Sequence, residues 1–144
     1  QCGDGKNDWR FARHAWHLMK HYFENGATGY MYWNMALEEG GVSRWGWSQN
    51  SFVVVDPQTK TYRYSHEYQL FKHVSHFVQS GAKFIAPFSW NGYEQQIAFR
   101  NPDGSLVLVV QNDNASDMEY NVMIDGKSLN LMLPADSFNT FVFN

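Results

Sequence analysis

Cysteine is almost missing from this sequence: Cys2 is the only one in 144 residues. A single thiol excludes an internal disulfide framework and says little about compartment. An excess of one charge is missing as well. Eleven Lys and Arg against 14 Asp and Glu leave a formal net charge of −3, which argues against nucleic acid as a partner. No basic stripe interleaves with the aromatic residues, as a single-strand binder would need. No apolar run approaches the roughly 18–20 residues that cross a bilayer, so no transmembrane segment is expected. The chain opens on QCGDG, with neither an initiator methionine nor a signal peptide. It is expected to continue upstream of Gln1.

Aromatic residues, by contrast, are abundant. They make up 17% of the chain, with six Trp and eight Tyr. Rings of that size belong in a core or on a stacking surface. Asn7-Asp8 offers an N-cap, and Phe11, Ala15, Leu18, Met19 and Tyr22 then recur at helical spacing up to a stop at Asn25-Gly26. This predicts a helix over residues 8–24. Tyr30 to Met35 reads as a short buried strand. Glu38 to Ser51 reads as a polar, glycine-rich loop, and Phe52 to Val55 as a second extended run ended by Asp56-Pro57. Helical spacing returns over 65–79 through Tyr68, Phe71, Val74 and Val78. The alternation predicts an α/β architecture with a parallel sheet. One strand and two helices cannot close such a sheet, because parallel strands need neighbours and cover on both faces. Residues 1–80 are therefore expected to be the last portion of a larger α/β domain.

The texture changes near Gly81. Asn101-Pro102-Asp103-Gly104 is a turn between two extended runs. Tyr120, Val122 and Ile124 alternate up to Asp125-Gly126, and Leu129, Leu131 and Leu133 alternate on the return. With a last strand over 138–143, residues 81–144 are expected to form an antiparallel sheet of about five or six strands with one apolar face, half of the sandwich of a β-sandwich domain.

Several chemical readings can be set aside. His14, His17 and His21 share a helix face, but HLMKH lacks the glutamate of a zinc-binding HExxH pair. These residues, with His73 and His76 on the second helix, read as solvated or capping histidines. Cys2 has no local base and reads as a small buried thiol beside the GDG turn. Gly3-Asp4-Gly5 lacks phosphate-loop spacing. No metal and no cofactor are expected.

The segment GYMYWNMALEEGGVSRWGW, residues 29–47, is different. It combines Trp33, Trp45 and Trp47 with Tyr30, Tyr32, Asn34 and the adjacent pair Glu38-Glu39. Indole faces stack on sugar rings while amides and carboxylates bind hydroxyls, which suits a carbohydrate site. The same pattern also fits an aromatic core strand followed by a surface loop. Glu38 and Glu39 do not make a catalytic pair. The two carboxyls of a glycosidase flank the scissile bond from opposite sides, about 5 Å or more apart.

The order QCGDGKNDW, a helix, GYMYWNMALEEGG, a WGW loop, VVVD, the helix around YSHEYQLFKHVSHFV, and finally NPDGSLVLVVQN resembles the C-terminal part of family 30 glycoside hydrolases. These are the glucosylceramidase-like enzymes. The resemblance runs through essentially all 144 residues. It implies a (β/α)8 TIM barrel followed by an antiparallel β-sandwich, with residues 1–80 as the C-terminal end of the barrel. It also implies hydrolysis of β-glycosidic bonds with retention by two glutamates. The nucleophile would lie just ahead of a cysteine-glycine turn, here Cys2-Gly3, so both catalytic glutamates are expected upstream of Gln1. Alone, the chain is expected to be inactive. Trp33 matches the tryptophan that lines the glycone subsite, and Asn34 follows it in the same motif. Glu38, Trp45, Trp47 and Asn50 fall in a loop that borders the mouth. The family implies a glycoside substrate and a secreted or periplasmic parent, and exposed barrel edges invite self-association. The competing reading is a carbohydrate-binding or structural β-module without catalysis.

Overall fold

The structure, a computed structural model, describes residues 3–144. The readings of Gln1 and Cys2 therefore lie outside the described residues. The chain divides into two compact units, one ending at Lys72 and the other running from His73 to Asn144. Nine β-strands and two helices are present among the described residues, so the chain is mostly β.

In the first unit, helix α1 spans Trp9–Glu24. Asp8 caps it, its side chain accepting from the Arg10 backbone amide, and Asn25 closes it. The buried stripe is Ala12, Ala15, Trp16 and Met19, spaced i, i+3, i+4, i+7. It lies one position round from the expected stripe: Phe11 and Leu18 are half-buried and Tyr22 is exposed. Trp16, fully buried, is the largest side chain of the stripe that turns inward.

The expected strand Tyr30–Met35 does not form. That stretch is extended but unpaired over most of its length, and the peptide bond between Trp33 and Asn34 is cis. Pairing begins where its backbone meets the next run, with Phe52 N donating to Asn34 O and Val53 N to Met35 O. Strand β1, Ala36–Glu38, follows. It lies parallel to β2, Val53–Asp56, which pairs antiparallel with β3, Thr61–Tyr64. The β2–β3 turn is held by Asp56, whose Oδ1 accepts from Gln58 N and Thr59 N. Thr59 and these amides keep the Asp56 carboxyl below the usual range. The sheet is thus three-stranded and mixed, and no closed barrel is present among the described residues. Helix α2, His66–Ser75, is shorter than the expected 65–79. Its buried residues are Glu67 and Leu70.

The second unit contains β4 (Lys83–Ile85), β5 (Gln96–Arg100), β6 (Leu106–Asn112), β7 (Met118–Ile124), β8 (Lys127–Leu133) and β9 (Ser137–Phe143). Strands β4-β5-β6-β9 form a four-stranded antiparallel sheet, and β7-β8 form a separate hairpin. The turn at Asp125-Gly126 has positive φ at both residues, the backbone that a two-residue hairpin requires. Leu108 and Val110 on β6 bury against Leu133, with Tyr120, Val122, Phe141 and Phe143 packed around them. This is the interior of a two-layer sandwich. The opposite face of β6 carries Val107 and Val109, also fully buried, which explains why β6 reads as a continuous apolar run. On that face His73 Nδ1 lies 2.9 Å from Thr140 Oγ1.

Candidate functional site

Residues 30–35 alternate in exposure. Tyr30, Tyr32 and Asn34 turn inward, while Met31, Trp33 and Met35 turn outward. The inward rings enter an aromatic cluster. Tyr32 stacks on Phe52 with centroids 4.7 Å apart, and Phe71 meets both rings, at 5.5 and 4.7 Å. Tyr30 also reaches Phe71. Offset and edge contacts of this kind hold rings in defined orientations. Burial raises the pKa of both tyrosines, and the charge of Glu67 raises that of Tyr32 further.

The outward side is where the expected sugar-facing residues stand. Trp33 is 67% exposed, Trp45 65% and Trp47 60%. Trp45 and Trp47 lie side by side, centroids 5.9 Å apart, with the Arg44 guanidinium 4.3 Å above the Trp45 ring. Their loop is folded on Ser43, whose Oγ accepts from Trp45 N and Trp47 N and whose backbone N donates to Trp47 O. Glu38 is exposed at the end of β1. Glu39 is engaged elsewhere: both its carboxylate oxygens accept from Arg63 Nη2, at 2.9 and 3.1 Å. The two adjacent acids therefore have different surroundings.

Asn34 and Asn50 are tied inward. Asn34 Nδ2 donates to Gln49 Oε1 and to Asn50 O, at 3.3 and 3.4 Å. Asn50, expected at the mouth of the site, is fully buried, and both ends of its amide are occupied. Its Oδ1 accepts from Gly5 N at 2.9 Å, and its Nδ2 donates to Glu67 Oε1 at 2.7 Å. With no exposed surface and both ends of its amide bonded to protein, Asn50 supports the site from behind. Gly5 passes so close to Gly40 that a Cβ on it would sit 2.0 Å from the Gly40 carbonyl oxygen. The GDG turn is thus a close-approach turn, not a phosphate cradle.

Glu67 was missed by the sequence reading. It is fully buried, and its Oε1 also accepts from Tyr32 Oη at 3.2 Å. A signal existed: Glu67, Leu70, Phe71 and Val74 fall at i, i+3, i+4 and i+7, which places the acid on the apolar stripe of α2. The histidines do not converge. His14, His17 and His21 are exposed on α1, and no group of three or more His, Cys, Asp or Glu among the described residues could hold a metal ion. Among the described residues no helix is long and apolar enough to cross a membrane.

A further concavity, of about 630 Å³, opens in the second unit between the sheet and the β7-β8 hairpin. Ala98, Leu108 and Val122 line its floor, with Arg100, Asn121 and Asp125 among the polar residues and Phe88 and Trp90 at its edge. Those two rings meet edge to face, 5.1 Å apart, and both are exposed.

The chain resembles known proteins over most of its length. The glycosyl hydrolase family 30 beta sandwich domain matches residues 91–141. Lysosomal acid glucosylceramidase of Mus musculus is 31% identical over 123 residues, covering 81% of this chain and 23% of that protein. Among solved structures, SrfJ from Salmonella typhimurium superposes with a TM-score of 0.87 at 27% identity, covering 99% of this chain and 32% of its own. An endo-β-1,6-glucanase gives 0.74 at 24% identity, over 85% of this chain and 28% of its own. The catalytic domain of the GH30 xylanase C from Talaromyces cellulolyticus gives 0.65 at 19% identity, over 99% and 36%. These last two likenesses concern the fold alone. The chain thus spans about a quarter to a third of the length of the proteins it matches. The resemblance to family 30 drawn from the sequence is borne out.

Proposed function

Residues 91–141 are a family 30 glycosyl hydrolase β-sandwich domain, and on that premise we propose that the chain is the C-terminal part of a retaining β-glycosidase. In this reading residues 1–80 end the catalytic barrel and 81–144 form the attached sandwich. The relative's name, glucosylceramidase, supports an O-glycosidic substrate. The chain supplies a wall of the sugar pocket, while the nucleophile and the acid/base come from the part of the protein outside these residues. The nucleophile carboxylate attacks the anomeric carbon, the acid protonates the leaving oxygen, and water then hydrolyses the glycosyl-enzyme. The 144 residues alone are inactive.

The observation that carries this reading is the presentation of Trp33. Its ring is turned outward by a segment whose inward rings and Asn34 amide are all anchored. Trp33 stacks under the glycone, Asn34 orients the backbone beside it, and Trp45, Trp47 and Glu38 border the entrance. Asn50 acts from behind. In the full-length enzyme Trp33→Ala lowers kcat/KM for an aryl β-glycoside at least about tenfold, or roughly 1.4 kcal/mol of transition-state binding. Undiminished activity would sink the assignment.

The aromatic-edged concavity of the sandwich favours a second reading, a carbohydrate-binding module. Titration of the isolated chain with oligosaccharides separates the two. Binding that is millimolar or tighter and lost in Trp90→Ala supports the module; no binding supports the enzyme portion.

A further inference from the structure

We infer that Glu67 is a positioning residue for the Trp33 wall, holding from inside both pieces of chain that frame it. The inference rests on the sugar-pocket reading above. Its basis is the set of contacts converging on one oxygen. Glu67 Oε1 accepts from Tyr32 Oη, 3.2 Å away on the residue next to Trp33. It also accepts from Asn50 Nδ2, 2.7 Å away. Asn50 in turn receives Asn34 Nδ2 on its backbone carbonyl and Gly5 N on its side chain. Next to it, Ser51 N donates to Asn7 Oδ1 at 2.9 Å. So Tyr32 on one side of Trp33 and Asn34 on the other are both referred to the same buried carboxylate, the first directly and the second through Asn50.

The placement has a physical reason. Trp33 is 67% exposed, so little of its ring is enclosed by protein. The direction of its ring follows from where Tyr32 and Asn34 are pinned. Stacking on a sugar ring is directional, and misplacement of a binding group by about 1 Å can cost large factors in rate. One acceptor oxygen shared by two donors refers both of them to a single buried point. Neighbouring Ser65 caps the first turn of α2, its Oγ accepting from Tyr68 N, so Glu67 sits on a rigid support. Glu67 Oε2 has no hydrogen-bond partner among the described residues. The grip therefore runs through Oε1, which a glutamine can reproduce.

The test uses the full-length enzyme and the aryl β-glycoside it turns over best, with KM and kcat normalised to folded protein. Glu67→Leu, which keeps bulk but removes the acceptor, is expected to raise KM roughly tenfold with kcat changed far less. Tyr32→Phe removes one donor while its ring stays stacked, and is expected to raise KM about threefold. Glu67→Gln restores KM to near the wild-type value. A purely structural role would lower the yield or melting temperature and leave KM of the folded enzyme unchanged. Unchanged KM in Tyr32→Phe and Glu67→Leu, or Glu67→Gln behaving as Glu67→Leu, overturns the inference. Tyr32→Phe alone decides if Glu67→Leu does not fold. Trp33→Ala in the same assay separates the two claims. If it is fully active, the sugar-pocket reading fails; if it is impaired while the Glu67 series is silent, only the positioning role fails.

Discussion

Both units bury apolar and polar side chains, and they differ in where the polar ones meet. The unit from His73 to Asn144 is an assembly of strands whose apolar side chains alternate, and its interior is Leu108, Val110 and Leu133 with their neighbours. That unit also buries Gln96, Asn101, Ser105, Gln111 and Asn112, and the unit that ends at Lys72 has a partly polar interior too. Asn7, Asn50, Ser51, Ser65 and Glu67 are all buried there, and Asn50 alone ties Gly5 to Glu67. A sandwich core stabilises its own strands wherever they occur. A polar network specifies one arrangement, because every buried donor and acceptor needs a particular partner. In the unit that presents the candidate sugar wall, Tyr32 and Asn50 converge on one buried carboxylate oxygen, Glu67 Oε1.

The comparison can be broken by mutation. The largest effect is expected for Leu133→Ala, which opens a cavity in the sandwich and should lower stability by about 2–5 kcal/mol in denaturant titration. Asn50→Leu comes next. It keeps the branched shape but removes the acceptor of the Gly5 amide and one of the two donors to Glu67 Oε1, and should cost about 2–3 kcal/mol. If Asn50→Leu were neutral, the polar network would not be what holds the first unit.

A smaller effect is expected from alkali. Burial pushes the Tyr120 phenol up to about 12 from an ordinary 10.0. Tyr93 is likewise pushed up to about 12, by burial and then by the charge of Asp113. Groups whose folded pKa is raised contribute stability that is fully present below the unfolded value and is lost as pH rises through the folded one. The second unit should therefore weaken between pH 10 and about 12, where these phenols ionise only after unfolding. Thermal melts of Tyr120→Phe across that window should show a shallower decline. The smallest effect is expected for Glu39→Gln. Its pair with Arg63 is exposed, so melting should change by at most about 1 kcal/mol and less at high salt.

Legibility differed between the units for the same reason. In the second unit the alternation of Tyr120, Val122 and Ile124, the Asp125-Gly126 turn and the Leu129-Leu131-Leu133 return were readable, because a strand's facing is a local, period-two property. The ends of α1 were readable from Asp8 and Asn25. Tyr30–Met35 was misread as a strand because its alternation is that of a strand, while pairing depends on which backbone lies alongside. Strand β3 was missed because TYRY is exposed throughout and shows no buried face. Of the candidate site, Trp33, Trp45 and Trp47 were singled out through family resemblance and aromatic composition, and all three are exposed. Asn50 was placed on the wrong side of the wall, and Glu67 was not found.

Local pattern and composition by themselves determined the two helices, the β-rich second unit, the family and the tryptophans. Those depend on residues close in sequence, or on a motif kept in order. Only the tertiary structure decided that Glu38 and Glu39 part company and that Asn50 faces Gly5. It alone brought Tyr32 and Asn50 to one oxygen of Glu67. These contacts join residues 17 to 45 positions apart, and no periodicity in a chain encodes which distant donor will meet a buried acceptor.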